Sequence, residues 1–318
     1  MANKVLVTGG AGFIGGHIAR AYLDRGDRVW VVDDLSTGKR ANLDPRADFV
    51  ETSIASRAVT DLFAKVGGFD LVNHHAAQID VRKSVMDPRA DAESNIIGLL
   101  NLLEAARRHG TRRFLFVSSG GVIYGEPEHR PTPETAPKQP LSPYGVSKLT
   151  AEYYLFYYHS IHGLDYIAQR YSNVYGPRQD PHGEAGVVAI FSNRLLAGQD
   201  LTIYGDGEQT RDYVFVEDVV RANLLLSEAT LTNGTQLDDR AFNVGTGVET
   251  SVNALADVLI EHSGQRARRV HAAQRAGELR RSCLANARLR ELGWAPNRSL
   301  PEGLRITYDY IQAKERKG

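Results

Sequence analysis

Apolar residues in the first half of the chain form short continuous runs separated by longer amphipathic stretches. Short runs rich in Val, Ile, Leu and Phe are typical of strands buried on both faces of a parallel sheet. They predict strands at Lys4–Thr8, Arg28–Asp33, Phe69–His74, Arg113–Ser118 and Asp165–Arg170. The stretches between them predict helices that end before a glycine: Phe13–Arg25, Ala90–His109 and Tyr144–His162. The alternation predicts an α/β fold with a doubly wound parallel sheet.

Beyond residue 175 the pattern loosens. It predicts a helix at Val187–Ala197, a strand at Leu201–Tyr204, a helix that follows Phe215 and ends near Ala229, and a strand at Ala241–Gly245. We therefore predict a first domain at residues 1–175 with later contributions near 214–246. Residues 176–318 are predicted to form a smaller α/β lobe that is interleaved with the first domain.

Composition excludes several classes of function. Lys plus Arg and Asp plus Glu each number 38, so no basic field is present to attract nucleic acid or an anionic membrane. Cys283 is the single cysteine, and no Cys/His spacing resembles a metal site, so neither a disulfide nor a metal is expected. Because no apolar run approaches about 20 residues and the first strand starts near Asn3, we expect a cytoplasmic protein without a signal peptide or membrane span.

A glycine-rich turn joins the first strand to the first helix. Gly9 permits a tight turn, Gly12 lets the backbone approach a pyrophosphate, and Gly15 allows the helix to pack closely on the strand. Asp33 ends the next strand, where a carboxylate accepts a hydrogen bond from the adenosine ribose. These features predict a Rossmann-type NAD site, and the carboxylate disfavours the extra phosphate of NADP. Lys39-Arg40 follow closely and would soften that preference.

A phenol and an ammonium lie one helical turn apart in Tyr144-Gly145-Val146-Ser147-Lys148. A phenol titrates near pH 10 on its own, which is too high for a base at neutral pH. The ammonium of Lys148, together with an oxidised nicotinamide, would favour the phenolate. With the glycine turn upstream, the pair predicts an enzyme that moves a hydride while Tyr144 moves the matching proton. The alternative is an incidental surface pair.

Many further motifs follow in order along nearly the whole chain: Thr8–Gly15, Asp33–Ser36, His74–Gln78, Asn95–Gly98, Ser118–Gly125, Tyr144–Lys148, Arg170–Arg178, Gly205–Gly207 and Arg211–Val214. They resemble the extended short-chain dehydrogenase/reductase superfamily and, within its NAD-dependent epimerases and dehydratases, the family of UDP-glucose 4-epimerases. The resemblance implies NAD as cofactor, a UDP-sugar as substrate, no metal and a homodimer.

The resemblance also implies roles for individual residues. Tyr144 would be the acid/base, Lys148 would bind the nicotinamide ribose, and Ser119 would assist at the sugar. The implied cofactor site comprises Gly9, Gly12, Phe13, Ile14, Gly15, Asp33, Asp34, Ser53, Ile54, Ala76, Ala77, Gln78, Ser118, Tyr144 and Lys148. The implied substrate site comprises Asn173, Val188, Tyr204, Arg211, Arg275, Glu278 and Ser282. For Arg211 the alternative is a surface salt bridge with Asp212.

The chain departs from the family pattern at two positions. Gly120 stands where the family has a Ser or Thr hydroxyl near the sugar, so Ser119 or a water would have to replace it, and Ser53 stands where an Asp is usual. Gly120-Gly121 also lacks the acidic residues typical of 4,6-dehydratases and of UDP-glucuronate decarboxylases. We therefore expect 4-epimerisation of a UDP-hexose. The alternatives are a UDP-glucuronate 4-epimerase, another nucleotide-sugar epimerase or reductase, and a non-catalytic NAD-binding regulator.

Two further expectations concern substrate size and assembly. Ser282 matches the position of a family gatekeeper, and a small residue there implies tolerance of UDP-N-acetylhexosamines. The aromatic stretch Tyr153–Tyr158 is apolar around most of its helix, which suits burial on both sides in a homodimer. Each has an ordinary alternative: Ser282 as the end of a surface strand, and the helix as part of a monomer's core.

Overall fold

The computed structural model describes residues 2–180, 186–231, 234–274 and 279–316. In these ranges the strands are β1 (Lys4–Thr8), β2 (Arg28–Asp33), β3 (Asp48–Glu51), β4 (Leu71–His74), β5 (Arg113–Ser119), β6 (Asp165–Tyr171), β7 (Asn173–Tyr175), β8 (Leu201–Tyr204), β9 (Thr210–Arg211), β10 (Tyr213–Phe215), β11 (Ala241–Val244), β12 (Thr250–Ser251) and β13 (Arg269–Ala272).

The α-helices of the same ranges are α1 (Phe13–Asp24), α2 (Arg57–Val66), α3 (Val81–Met86), α4 (Pro88–Ala92), α5 (Gly98–Arg108), α6 (Pro143–His162), α7 (Val187–Leu196), α8 (Val216–Glu228), α9 (Val252–Ser263), α10 (Ala287–Glu291) and α11 (Leu300–Glu315). None of the described helices is both long and apolar enough to cross a membrane.

Seven of the described strands form one parallel sheet in the order β11-β6-β5-β4-β1-β2-β3. One hydrophobic core lies under α2, α5 and α6 on one face of the sheet, and a second lies under α1 and α8 on the other. The doubly wound α/β fold is therefore confirmed. The strand order reverses between β1 and β4, whose last residues Thr8 and His74 are register partners. Ligands of such sheets bind at this switch point, beyond the carboxyl ends of the strands.

Several predicted boundaries need correction. The strand predicted from Phe69 begins at Leu71. The buried Phe69 precedes it, and its ring centre lies 4.8 Å from that of Phe63. The helix predicted at Ala90–His109 is part of a continuous helical segment that begins at Pro88 and ends at Arg108. This segment contains a π-helical turn at Glu93–Ile97. The pattern analysis does not predict β3 or α2. In β3, only the two central residues are partly buried, so its alternation is weak.

The second lobe is built from helices α7, α9 and α11 around short two-stranded ladders, β7 with β10, β8 with β13 and β9 with β12. The buried Asp212 ties three of its segments together. Its carboxylate accepts hydrogen bonds from Thr246 N (2.8 Å), Gly247 N (3.1 Å) and Leu284 N (3.2 Å). In contrast, β11 pairs with β6 and so returns to the main sheet. The division of the chain near residue 175 stays a prediction.

Candidate active site

The glycine turn lies against the segment that follows β4. Gly9 has a φ of +68°, and a Cβ at this position would lie 2.6 Å from Ala76 N. A Cβ on Gly15 would overlap the carbonyl oxygen of Gly9. Only glycine allows these approaches. Gly12 is the N-cap of α1 and offers no side chain to the helix, so the first-turn N–H groups, including those of Phe13 and Ile14, are available to an anionic ligand.

Asp33 is held rigidly beside this turn. Its carboxylate accepts hydrogen bonds from Ala11 N (2.9 Å) and Leu35 N (2.8 Å). Burial raises the pKa of Asp33, and these two hydrogen bonds oppose the rise. The geometry therefore presents a fixed acceptor at the end of β2, as a ribose hydroxyl requires. The uncapped helix start and this acceptor together fit a dinucleotide.

The other predicted cofactor residues form the rim of the same edge. Asp34 accepts a hydrogen bond from Ser36 N (2.9 Å), and Ser53 Oγ accepts one from Ala55 N (3.3 Å). Ile54 is buried against Gly98. Ala76 N donates to Thr8 Oγ1 (3.2 Å), and Ala77 and Gln78 continue that segment. Ser118 Oγ at the end of β5 is buried and has no partner among the described residues.

Both cations expected to soften the preference for NAD are paired with carboxylates. Lys39 lies 2.9 Å from Asp180, and Arg40 pairs with Glu51. A ribose phosphate would therefore have to displace a carboxylate from either cation in order to bind it. Among the described residues, no group of three or more His, Cys, Asp or Glu side chains could hold a metal ion.

Helix α6 carries Tyr144 and Lys148 into the protein interior. The helix starts at Pro143, and Ser142 caps it by accepting a hydrogen bond from Gly145 N (3.1 Å). Lys148 Nζ lies 5.7 Å from the centre of the Tyr144 ring and donates a hydrogen bond to Val117 O (2.8 Å). Burial lowers the pKa of the Lys148 ammonium to about 8. A buried cation beside a phenol is the arrangement that the proton-transfer role requires.

The missing hydroxyl at position 120 has a steric explanation. A Cβ on Gly120 would overlap the end of the buried Leu284 side chain. Leu284 reaches this place because Asp212 holds its backbone. A serine at position 120 would therefore have to displace a packed leucine. Ser119, the last residue of β5 and the neighbour of Gly120 in the chain, has a hydroxyl and is only partly buried.

The predicted substrate residues come from several segments of the second lobe. Asn173 is exposed at the start of β7, and Tyr204 ends β8. Arg211 donates a hydrogen bond to Thr210 O (2.8 Å) and makes no salt bridge among the described residues, while the Asp212 carboxylate is used by backbone N–H groups. The salt-bridge alternative for Arg211 is therefore wrong.

Two other predicted residues are largely buried. Val188 lies in the core of the second lobe with no exposed surface, so its side chain is part of the packing. Ser282 is buried and donates from its backbone N to Thr210 O (3.2 Å), one residue before Arg211. Arg275 and Glu278 lie outside the described residues. The sequence analysis also missed Ser84, whose Oγ accepts a hydrogen bond from Tyr144 N (3.2 Å).

The model of the NAD dependent epimerase/dehydratase family matches residues 5–245. The chain belongs to this family. As a family member it is 44% identical over 317 residues to the UDP-glucose 4-epimerase of Mycolicibacterium smegmatis, with 98% of this chain and 99% of that protein covered.

Two solved structures of relatives extend the match to three dimensions. The UDP-glucose 4-epimerase of Thermotoga maritima with UDP-glucose is 46% identical, has a TM-score of 0.93, and is covered over 98% of this chain and 99% of that one. The UDP-glucose 4-epimerase of Thermus thermophilus in complex with NAD is 43% identical, has a TM-score of 0.90, and is covered over 97% and 99%. The expected resemblance to NAD-dependent nucleotide-sugar epimerases is confirmed.

Proposed function

We propose that this family member catalyses the NAD-dependent 4-epimerisation of UDP-hexoses, with UDP-glucose and UDP-galactose as the substrate pair. The observation that carries the proposal is the buried Tyr144–Lys148 pair on α6, beside a glycine turn that fits a dinucleotide. Gly120 and Gly121 follow β5 without an acidic side chain, so the elimination that a 4,6-dehydratase performs has no proton donor there.

The chemistry needs one proton to leave and return. Bound NAD supplies the acceptor for the hydrogen that leaves C4 with its electron pair. Tyr144, as phenolate, takes the O4 proton, and the C4–O4 bond becomes a carbonyl. Lys148 stabilises the phenolate by its charge. After the sugar has turned, Tyr144 returns the proton to O4 and C4 regains its hydrogen on the opposite face, so the net reaction involves no gain or loss of electrons.

Rotation of the sugar requires that its diphosphate stays fixed. Arg211 supports this role because its guanidinium has no carboxylate partner among the described residues. A planar guanidinium binds phosphate oxygens in pairs, which a lysine does not do. Asn173 and Tyr204 are proposed to contact the nucleotide or the sugar from β7 and β8. Arg275 and Glu278 are proposed, by resemblance alone, to contact the diphosphate and the nucleoside ribose.

The small side chain of Ser282 favours a second class of substrate. Its backbone pairs with Thr210, directly beside Arg211, so the residue belongs to the segment that borders the proposed diphosphate site. A hydroxymethyl group leaves room for an N-acetyl group on C2 of the sugar, which a large aromatic side chain would fill. We therefore include UDP-N-acetylhexosamines among the proposed substrates.

The proposal is tested by incubating the purified protein with UDP-galactose, and separately with UDP-N-acetylglucosamine, without added cofactor. Proton NMR distinguishes each sugar nucleotide from its 4-epimer. We expect conversion of UDP-galactose to UDP-glucose, because a cofactor that is regenerated in every turnover needs no resupply. Absence of conversion of either substrate, even with added NAD, would contradict the proposal.

A homodimer is proposed on the same helix. Tyr153, Tyr157 and Ile161 are exposed on α6 at intervals of four residues, which gives one continuous apolar stripe. Such a stripe is suited to burial against a second copy. Light scattering coupled to size-exclusion chromatography should give twice the chain mass, and Tyr157→Glu should give the monomer. The expected cytoplasmic location stays a prediction.

A further inference from the structure

A buried carboxylate lies beneath the first turns of the catalytic helix α6. Asp91 in α4 is 1% exposed. Its Oδ1 accepts hydrogen bonds from Gln78 Nε2 (3.0 Å) and Asn95 Nδ2 (3.0 Å), and its Oδ2 accepts one from Ser147 Oγ (2.6 Å). Among the described residues it makes no salt bridge. Three neutral donors therefore surround a charge that is costly to bury, and such a charge needs a reason beyond packing.

The three donors come from three segments that border the candidate active site. Gln78 follows β4 in the segment that touches the glycine turn, and its backbone N and O both bond the Asn95 side chain, at 3.0 and 2.9 Å. Asn95 lies in the π-helical turn between α4 and α5, a form of helix that is frequent at functional sites. Ser147 lies between Tyr144 and Lys148 on α6. One carboxylate thus joins the cofactor segment to the catalytic helix.

Electrostatics connects Asp91 to Lys148. Burial lowers the pKa of Lys148, and the carboxylates of Asp91 and then Glu152 oppose this effect. The two carboxylates are not equivalent. Glu152 is bound by Arg170 through three contacts of 2.6–3.2 Å, so its charge is already neutralised by a guanidinium. Asp91, in contrast, has only neutral hydrogen-bond donors and no cationic partner among the described residues.

In the part of the chain that the structure describes, the remaining groups around Lys148 do not supply a negative charge. Burial and then the Lys148 charge lower the pKa of His75 to about 3, and burial lowers the pKa of His74 well below its usual range, so both imidazoles at the end of β4 are neutral. Strand β5 contributes the Phe116 ring, at 4.9 Å from Nζ, and a backbone carbonyl. On α6 itself Tyr144 becomes negative only when it acts as the base.

We propose that Asp91 is a positioning residue for the Tyr144–Lys148 pair, whose carboxylate aligns the Gln78 segment with α6 and supplies the negative charge that keeps Lys148 an ammonium. Its effect on turnover rests on the proposed function, whereas its effect on the ionisation of Lys148 does not.

The test compares Asp91→Asn, which removes the charge at nearly constant size, with the matched control Ser147→Ala, which removes one hydrogen bond and leaves the charge. Cofactor-free protein labelled with [13Cε]-lysine is titrated by NMR, and Lys148→Met assigns the signal. We expect Asp91→Asn to lower the Lys148 midpoint by about one pH unit, while Ser147→Ala leaves it unchanged. Asp91→Glu, which keeps the carboxylate, should give a Lys148 midpoint close to that of the wild type.

Kinetics supply the second readout. At pH 7.5 we expect Asp91→Asn to lower kcat about three-fold with little change in KM, as the ammonium fraction of Lys148 falls, and to move the alkaline fall of kcat to lower pH. A folded Asp91→Asn with the wild-type Lys148 midpoint would overturn the inference. If Asp91→Asn does not fold, Asp91→Ser, which leaves room for water, replaces it under the same criterion. Should the wild type convert no UDP-sugar, the proposed function fails while the titration still decides the role of Asp91.

Discussion

Two buried cations in this protein both interact with Glu152, and they differ in almost every physical respect. Arg170 on β6 has no exposed surface, and every N–H of its guanidinium has an acceptor: Glu152, Asp238, Tyr124 OH and Glu134 O. Lys148 on α6 is 5% exposed and, within the described ranges, donates to a single carbonyl, Val117 O. Burial opposes both charges.

The outcome for the two charges is opposite. Although burial opposes it, the Glu152 carboxylate raises the pKa of the Arg170 guanidinium, which therefore stays charged at any working pH. Burial prevails at Lys148 and lowers its pKa to about 8. An ion pair in which every N–H has an acceptor stabilises the fold. An ammonium with few acceptors can instead respond to a ligand and to a neighbouring phenol. The comparison separates a structural charge on β6 from a reactive one on α6.

We expect the largest effect from removal of the Tyr144 hydroxyl, whose ionised form Lys148 stabilises. Tyr144→Phe keeps the ring but deletes the hydroxyl that moves the proton, so we expect kcat to fall by about 10³- to 10⁴-fold. The thermal midpoint should change little, because the ring remains packed. Epimerisation of UDP-galactose followed by NMR, with circular dichroism as the control for folding, provides the measurement. Near-normal turnover would refute the role of Tyr144.

The second effect breaks the ion pair between Arg170 and Glu152. Glu152→Gln leaves Arg170 buried with a weaker set of acceptors, and losing one partner of a buried ion pair costs about 3–5 kcal/mol of unfolding free energy. Urea titration measures this loss. The double variant Glu152→Gln/Arg170→Met should be more stable than Glu152→Gln alone, since it also removes the buried guanidinium that has lost its main partner. Equal stability of the single variant and the wild type would show that the pair is dispensable.

The third prediction concerns Lys148, whose buried charge lowers the stability of the protein but supports turnover. Its pKa is about 8 in the folded protein and near 10.5 when unfolded, so the unfolded state binds more protons between these values. The burial penalty is therefore complete below about pH 8 and disappears as the pH rises through 10.5. Lys148→Met should raise the unfolding free energy of cofactor-free protein by about 3 kcal/mol at pH 7, and this gain should vanish above pH 10.5.

The same substitution should lower kcat by roughly 10²-fold, because the phenolate loses its neighbouring charge. In the wild type, kcat should fall as the pH rises above about 8, when Lys148 loses its proton. Stability measured across pH and the pH profile of turnover test the two statements separately. A destabilised Lys148→Met variant at pH 7 would contradict the assignment of an unfavourable buried charge.

We expect the smallest effect at Ser282, which contacts neither Arg170 nor Lys148. Ser282→Tyr should lower kcat/KM for UDP-N-acetylglucosamine about ten-fold and leave UDP-galactose nearly unchanged, because the larger side chain fills only the space for the acetamido group. Steady-state kinetics with both substrates measure the ratio. Ser282→Thr serves as the small matched control. An equal loss for both substrates would show that Ser282 does not select substrate size.

The local features of this chain follow from its sequence, and particular residues show why. Gly9 and Gly15 can be interpreted in sequence because a strand, a tight turn and a helix are adjacent along the chain. Tyr144 and Lys148 can be paired because their spacing equals one helical turn. Strand β3 escapes prediction because it is short and half-exposed, and the π-helical turn around Asn95 escapes because no local pattern separates it from an α-helix.

Contacts between distant segments could not be predicted in this way. Leu284 closes the space beside Gly120, Asp212 joins Thr246 and Gly247 to Leu284, and Asp91 joins Gln78 to Ser147. Each contact unites residues from separate elements. Packing of helices on the sheet decides their distances, and hydrophobic periodicity carries no information about them.

The sequence by itself determined most strands of the main sheet, where the dinucleotide turn lies, and that a phenol and an ammonium share one helix face, because these properties depend on neighbours within a few residues. Only the tertiary structure decided which charges are satisfied. Lys148 and Glu152 are also one helical turn apart, yet β6 brings Arg170 to Glu152 and leaves Lys148 with one carbonyl acceptor. Desolvation and ion pairing act through space, and the fold sets those distances.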